Sequence, residues 1–190
     1  MEIKLMDNWT LLIKGKKESV LVDPNKDRDL LKENSRVVLH TLDGFTYDDF
    51  LGNKVIIRGP GEYEVGGVEI DGYGNDKGET VYAVQIDGIR IVVLGKLSQV
   101  LSDKKIKKID SADILITPVK FGDEMSFKIV KGWAKDWGVN YLLPISGDDN
   151  DGLKKFLDAA DEEGLEPIES LKVERDELPD GLEVKLLKSL

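Results

Sequence analysis

Cysteine is missing from all 190 residues, and histidine occurs once, at His40. Without cysteine there are no disulfides and no thiolate metal sites. With only one imidazole besides, the usual borderline-soft ligand set of a transition metal cannot be assembled. Basic residues are in the minority: 27 Lys and Arg stand against 37 Asp and Glu, a net charge of -10. That balance argues against nucleic acid and anionic membrane as partners, since both need clustered cations to displace counterions. The densest basic stretch, Lys104, Lys105, Lys107 and Lys108, is interleaved with Ile106 and Ile109 and reads as the wet face of a short helix. No apolar run approaches a membrane span, and the first residues carry neither the charged head nor the long apolar core of a signal peptide. A cytoplasmic location is the expectation. No internal repeat or low-complexity tract interrupts the chain.

The composition that remains, 41% hydrophobic and 34% charged, is that of a folded globular protein, and the length suits a single domain over 1–190. The first half reads as strands: Ile3 to Leu5, Trp9 to Ile13, and Ser19 to Val22 after a turn at Lys14-Gly15-Lys16-Lys17, with Asp23-Pro24 ending the third. Asp27 to Glu33 reads as a short surface helix, Val37 to Leu39 as a buried strand, and Asp43 to Phe50 as a loop or short helix. Val55 to Ile57 and Val68 to Ile70 are strands, and Asp71 to Thr80, rich in Gly and Asp, is expected to be a loop. Val81 to Ile86 and Ile89 to Leu94 flank Asp87-Gly88, the clearest hairpin in the chain.

Helices enter later. Ser102 is placed to cap one running through Ile109. Ile129, Val130, Trp133, Ala134 and Trp137 share one face of another, and Leu153, Phe156, Leu157 and Ala160 of a third that Gly164 stops. Between them Ile114 to Ile116 and Tyr141 to Leu143 are strands, the latter ended by Pro144, and Leu171 to Val173 and Leu182 to Leu187 complete the tail. Strands first and strand-helix alternation afterwards imply two sheets packed face to face with helices outside, an α+β architecture.

The stretch Gly59-Pro60-Gly61-Glu62-Tyr63-Glu64-Val65, followed by Gly66-Gly67-Val68, reads on its own as a tight strand-to-strand corner. Together with Val81 to Arg90 it resembles one branch of the metallo-β-lactamase superfamily, the small predicted metal-dependent hydrolases that look like ascorbate-phosphate lactonases. The resemblance implies the four-layer αββα sandwich over Met1 to Leu187, and a pair of metal ions, usually zinc, holding the hydroxide that attacks the substrate.

The ligands do not come with it. The first-strand motif of the family falls on Asp7-Asn8-Trp9-Thr10-Leu11, where nothing of it survives, and Trp9 stands in for a small residue so as to plug the cavity. The signature H-x-H-x-D-H falls on His40-Thr41-Leu42-Asp43-Gly44-Phe45, with His40 matching the first histidine in one register and Asp43 one place short of the aspartate. At the third site the histidine has become Val93, the bridging aspartate Lys96 and the later histidine Gln99; at the last, Ser146 replaces an imidazole. A carboxylate-only site for magnesium or calcium would draw on Asp7, Asp43, Asp76, Asp148 and Asp149.

Two readings stand for Lys96: an ammonium pairing with Asp43 or Asp7 where the family keeps a metal, or an exposed loop lysine. His40 is either a relic ligand or general base, or a hydrogen-bonded structural residue. Ser98 and Ser146 lack a nucleophile turn, Glu62 and Glu64 alternate onto one exposed strand face, Gly72-Tyr73-Gly74 is too short for a phosphate cradle, and Trp133 and Trp137 belong to a helix core. The expected function is therefore a non-catalytic protein of this fold with a lost zinc site and no cofactor, kept for binding or assembly. Homo-oligomerisation, and a small molecule or protein loop in the former cleft, are the partners this allows. The alternative is a hydrolase of a phosphoester or lactone with a non-standard carboxylate site.

Overall fold

The computed structural model describes residues 1–25, 35–42 and 54–190. Among them two mixed sheets face one another. In the first, β1 (Glu2–Leu5), β2 (Leu11–Lys14) and β3 (Ser19–Val22) form an antiparallel meander; β4 (Val37–His40) and β5 (Val55–Arg58) extend it in parallel, and β14 (Leu171–Lys172) borders β1. In the second, β6 (Gly61–Val65), β7 (Val68–Gly74), β8 (Thr80–Ile86) and β9 (Ile89–Val93) are antiparallel. Next to β9 come β10 (Ile114–Pro118), β13 (Tyr141–Ile145) and β15 (Glu183–Val184), all parallel. A small hairpin, β11 (Lys120–Phe121) and β12 (Glu124–Met125), the helices α1 (Asp103–Ile106), α2 (Phe127–Trp137) and α3 (Asn150–Ala159), and a single 3-10 turn (Arg175–Glu177) complete the described elements.

Alternation along the strands builds the layers. Leu11, Ile13, Val20, Val22, Val37 and Leu39 from the first sheet meet Val84, Ile91, Val93, Ile114 and Ile116 from the second in one buried cluster. The opposite residues of the second sheet, among them Val81, Val92, Leu115 and Leu142, pack under α2 and α3. Phe127 of α2 and Phe156 of α3 meet edge to face at 5.2 Å between ring centres, and Trp133 stacks on Trp137 at 5.6 Å. On the outer face of the first sheet Leu12, Leu21 and Val38 form a third, smaller cluster. Strands apolar on both faces, as here, belong to sheets covered on both sides.

The corner expected at Gly59-Pro60 does more than turn: it carries the chain from β5 in one sheet to β6 in the other. Tyr82 of β8, fully buried between the sheets, holds it there. The Tyr82 hydroxyl accepts the Gly59 N–H at 3.0 Å and donates to the His40 carbonyl at 3.1 Å, so one side chain of the second sheet satisfies the ends of β4 and β5 in the first. Glu62 and Glu64 lie exposed on β6 as alternation requires.

Four expectations are corrected. β7 continues to Gly74, so only 75–79 turns; glycine is needed at 72 for closeness rather than for a bend, since a Cβ there would come within 2.9 Å of the Gly59 carbonyl oxygen. The helix from Ser102 stops after four residues at Ile106, and the Ser102 side chain makes no cap. Pro144 lies inside β13 instead of ending it: the carbonyls of Asn140 and Leu142 face β15, period two turns Pro144 the same way, and β15 has ended at Val184, so no ladder bond is missed. Helix α3 ends at Ala159, where Asp161 at φ 59° takes the left-handed position, well before Gly164. The helix expected over Asp27 to Glu33 and the segment Asp43 to Phe50 lie outside the described residues. Among the described residues no helix is long and apolar enough to cross a membrane.

Candidate functional site

The place where a metallo-β-lactamase cleft would lie is at one end of the inter-sheet layer, bounded by the loop after β1, the ends of β3 and β4, the turn after β9 and the loop after β13. The loop after β1 winds around Asp7. Its Oδ1 accepts the backbone N–H groups of Trp9 at 2.8 Å and Thr10 at 2.7 Å. Its Oδ2 accepts the Thr10 hydroxyl at 2.9 Å and the Asn25 side-chain amide. The single Thr10 hydroxyl proton is shared with the Asp23 carbonyl, also at 2.9 Å, so three N–H groups are the carboxylate's undivided donors. This turn delays the start of β2 to Leu11, two residues later than Trp9, and sends the Trp9 ring across the cleft.

Opposite, the loop after β13 receives it. Gly147, at φ +59°, lies so close that a Cβ on it would stand 2.3 Å from Trp9 Nε1. Asn8 donates to Asp148 and fixes the two loops to each other. The space left between Trp9, Leu11, Val93, Ile116 and Ile145 is a cavity of about 10 Å³, enough for one water at most. The Lys96 ammonium sits 5.6 Å from the centre of the Trp9 ring, a cation over an aromatic face.

The residues that organise this end of the layer include two that sequence reasoning passed over. Asp23, 3% exposed and in left-handed backbone at φ 46°, accepts the Thr41 N–H at 2.7 Å and the Thr41 hydroxyl. Thr41 Oγ1 in turn lies 3.3 Å from the Lys96 N–H. Burial raises the Asp23 carboxyl above its ordinary 3.8, against the lowering effect of Thr41 and of the Lys96 charge; the Asp7 charge adds to the rise. A fully apolar Val20-Leu21-Val22 run ending in Asp-Pro was the available signal for Asp23, which reads as a mere strand terminator until its burial is known.

A pH dependence follows. Between the unfolded value near 3.8 and the raised native value, the native state keeps a proton that the unfolded chain has lost, so stability falls as pH rises through that window. Asp23→Asn keeps the Thr41 N–H on its amide oxygen, reverses the second contact so that its NH2 donates to the Thr41 hydroxyl, and suits the left-handed backbone. Its stability relative to the parent is expected to grow with rising pH across the window, read by urea unfolding at a series of pH values; a flat difference would contradict a burial-raised carboxyl.

The structure gathers Asp7, Asn8, Val93, Lys96 and Ser146 around the Trp9 plug, with Val93 fully buried and Ser146 half-buried. Gln99 stands exposed and does not line the small cavity beside Trp9. His40, 1% exposed, follows Val38 in the alternation and so belongs to the outer face of the first sheet, in register with Arg58 of β5; Thr41 is the residue that turns inward. Counting by two along β4 could have separated His40 from Thr41. Asp43 lies outside the described residues. Asp149 caps α3 through the Gly152 N–H and pairs with Lys120 at 2.7 Å, which together hold its carboxyl below the usual range, and Asp76 stands exposed in a turn.

This donor set does not fit zinc. Val93 brings a hydrocarbon and Lys96 an ammonium, neither of which is a zinc donor, the Asp7 oxygens are engaged in ordering their own loop, and no group of three or more His, Cys, Asp or Glu converges among the described residues.

Comparison with known proteins agrees with the architecture. No curated protein matches the chain. A protein of Thermotoga maritima described as a candidate Zn-dependent hydrolase of the metallo-β-lactamase superfamily superposes with a TM-score of 0.78 at 22% identity, covering 98% of each chain. A candidate metal-dependent hydrolase from Parabacteroides distasonis (TM-score 0.61, 15% identity, 98% and 93% covered) and the metallo-β-lactamase fold protein YhfI from Bacillus subtilis (0.60, 13%, 99% and 96%) share the fold as well. At these identities the likeness is one of fold. The family model described as a beta-lactamase superfamily domain matches residues 2–144, and the chain thus belongs to the metallo-β-lactamase superfamily.

Proposed function

We propose that this chain is a non-catalytic member of the superfamily that serves in binding or assembly, its former metal cleft rebuilt as packed structure. The observation that carries the reading is the Trp9 ring seated on Gly147 with about 10 Å³ beside it. Hydrolysis needs a water held and polarised beside a bound substrate, and substrate sites occupy several hundred Å³. Asp7 supports the same reading, because its carboxylate accepts three N–H groups in ordering the loop that presents Trp9. A ligand in the cleft itself would first have to displace that ring.

The alternative, hydrolysis of a phosphoester or lactone on a carboxylate-held metal, gives a direct test. Purified chain incubated with zinc, manganese or magnesium and supplied with a phosphodiester and a simple lactone is expected to show no turnover above metal and buffer alone. Turnover that scales with protein, needs the added metal and is abolished by Asp43→Ala in a variant that keeps the parent's dichroism would replace this proposal with the hydrolase.

A further inference from the structure

A second cavity lies on the opposite side of the first sheet from the cleft. It measures about 320 Å³ and is walled by Lys4, Lys14, Lys16 and Lys17 over an apolar floor of Met6 and Leu12, with Glu2 and the terminal Leu190 also at its edge. Lys4, Leu12 and Lys14 occupy strand positions that alternate with the core residues Ile3, Leu5, Leu11 and Ile13, so their side chains leave the sheet on its outer face. The turn carrying Lys16 and Lys17 is fixed from both ends: the Lys16 N–H donates to Asp87 of the β8–β9 hairpin at 2.8 Å, and the Gly15 N–H to the Glu18 carbonyl at 2.9 Å.

The charges in this cavity are unbalanced. Lys4 is partly offset by Glu2 at 3.7 Å, and Glu2 is a firm anion whose carboxyl is held low first by a hydrogen bond from Ser170 and then by Lys4, Lys172 and Lys14. The acid of the turn itself, Glu18, is engaged by Arg36 at 3.1 Å, and Asp87 is engaged by backbone. Among the described residues the ammonium groups of Lys14, Lys16 and Lys17 make no hydrogen bond or ion pair. Glu2 and the terminal carboxylate of Leu190 are the acids at the cavity, and four lysines outnumber them in a chain that elsewhere carries ten more acids than bases. Like charges held together on one short turn repel, and an anion placed among them removes that cost.

We infer that this cavity is a binding site for a small organic phosphate. Lysines meet phosphate as mobile point charges, and three of them match the two negative charges of a phosphoryl group better than one carboxylate. The volume is near the lower bound of about 300 Å³ for small-molecule sites, which suits a phosphorylated metabolite. Met6 and Leu12 offer surface to its carbon skeleton, and Ser19 a hydroxyl. A nucleic acid is disfavoured by the net charge of the whole chain.

The test is calorimetric titration of the full chain at low ionic strength with glucose 6-phosphate and pyrophosphate, and with citrate as an anion of similar charge without phosphorus. Saturable binding of about one phosphate ligand per chain is expected, weaker with added salt and weakened about tenfold or more when Lys14, Lys16 and Lys17 are all changed to alanine. The corresponding triple arginine variant should bind as the parent does. Because the three side chains are exposed, the alanine variant is expected to keep the parent's near-ultraviolet dichroism. No saturable binding of either phosphate, unchanged affinity in the folded alanine variant, or equal affinity for citrate would overturn the inference. Failure here would leave the reading of the cleft untouched, since the two sites lie on opposite faces of one sheet.

Discussion

Tyr82→Ala is expected to be the most damaging single substitution of those considered, removing most of the stability of the chain. Burying a whole aromatic side chain and then deleting it costs about 3–5 kcal/mol. Tyr82 is fully buried between the sheets, so the full range applies. The loss also strips partners from the Gly59 N–H and the His40 carbonyl, and a buried backbone group left unsatisfied adds about 1–3 kcal/mol. Against a total of about 5–15 kcal/mol for a folded domain, the sum approaches collapse. Tyr82→Phe separates the parts, keeping the ring and losing the hydroxyl, and should cost only the second amount. Burial also pushes the Tyr82 hydroxyl far above its ordinary 10.0, so the unfolded chain ionises first and stability drops as pH rises past that value. Urea unfolding of both variants measures this; a phenylalanine variant as stable as the parent would show that the hydroxyl does not tie the sheets.

That link explains why one short stretch of sequence was so informative. Gly59-Pro60 has to cross between sheets at a point where β7 passes within contact distance, and the residues that permit this are confined to a few glycines and one buried tyrosine. Strands with clear alternation, such as Ser19 to Val22, and the Asp87-Gly88 turn, with φ of 52° and 78°, were legible for the same reason: local chemistry leaves one solution. Legibility ended where tertiary context decides. The glycines at 72 and 74 looked like loop residues because glycine for close approach and glycine for a turn are the same letter. Pro144 looked like a strand end because the sequence does not say which neighbour its missing N–H would have faced.

In the candidate site the substitutions at Val93, Lys96 and Ser146 could be counted from the resemblance, but their consequence could not. Asp23 became important only through burial, and its partner Thr41 only through the inward face of the chain after β4. Trp9 shows the pattern most clearly. Its size suggested a plug; that it rests on a glycine with left-handed backbone, in a loop latched by Asn8 and Asp148, is a property of two segments far apart in the chain.

The second large effect concerns zinc. A complete structural zinc site contributes about 10–16 kcal/mol of apparent binding energy near neutral pH, and almost all of that requires imidazole, thiolate or free carboxylate donors converging on the ion. Here the turn after β9 brings Val93 and Lys96, and among the described residues the carboxylates at this end, Asp7 and Asp23, are committed to the turn after β1 and to Thr41. The chain without any affinity tag, incubated with excess zinc, passed through a desalting column and analysed for metal by mass spectrometry, should carry none above the buffer baseline. About one or more equivalents of zinc retained per chain, and lost on changing Asp7 or Asp23, would contradict the proposal that this cleft is packed core and not a metal site.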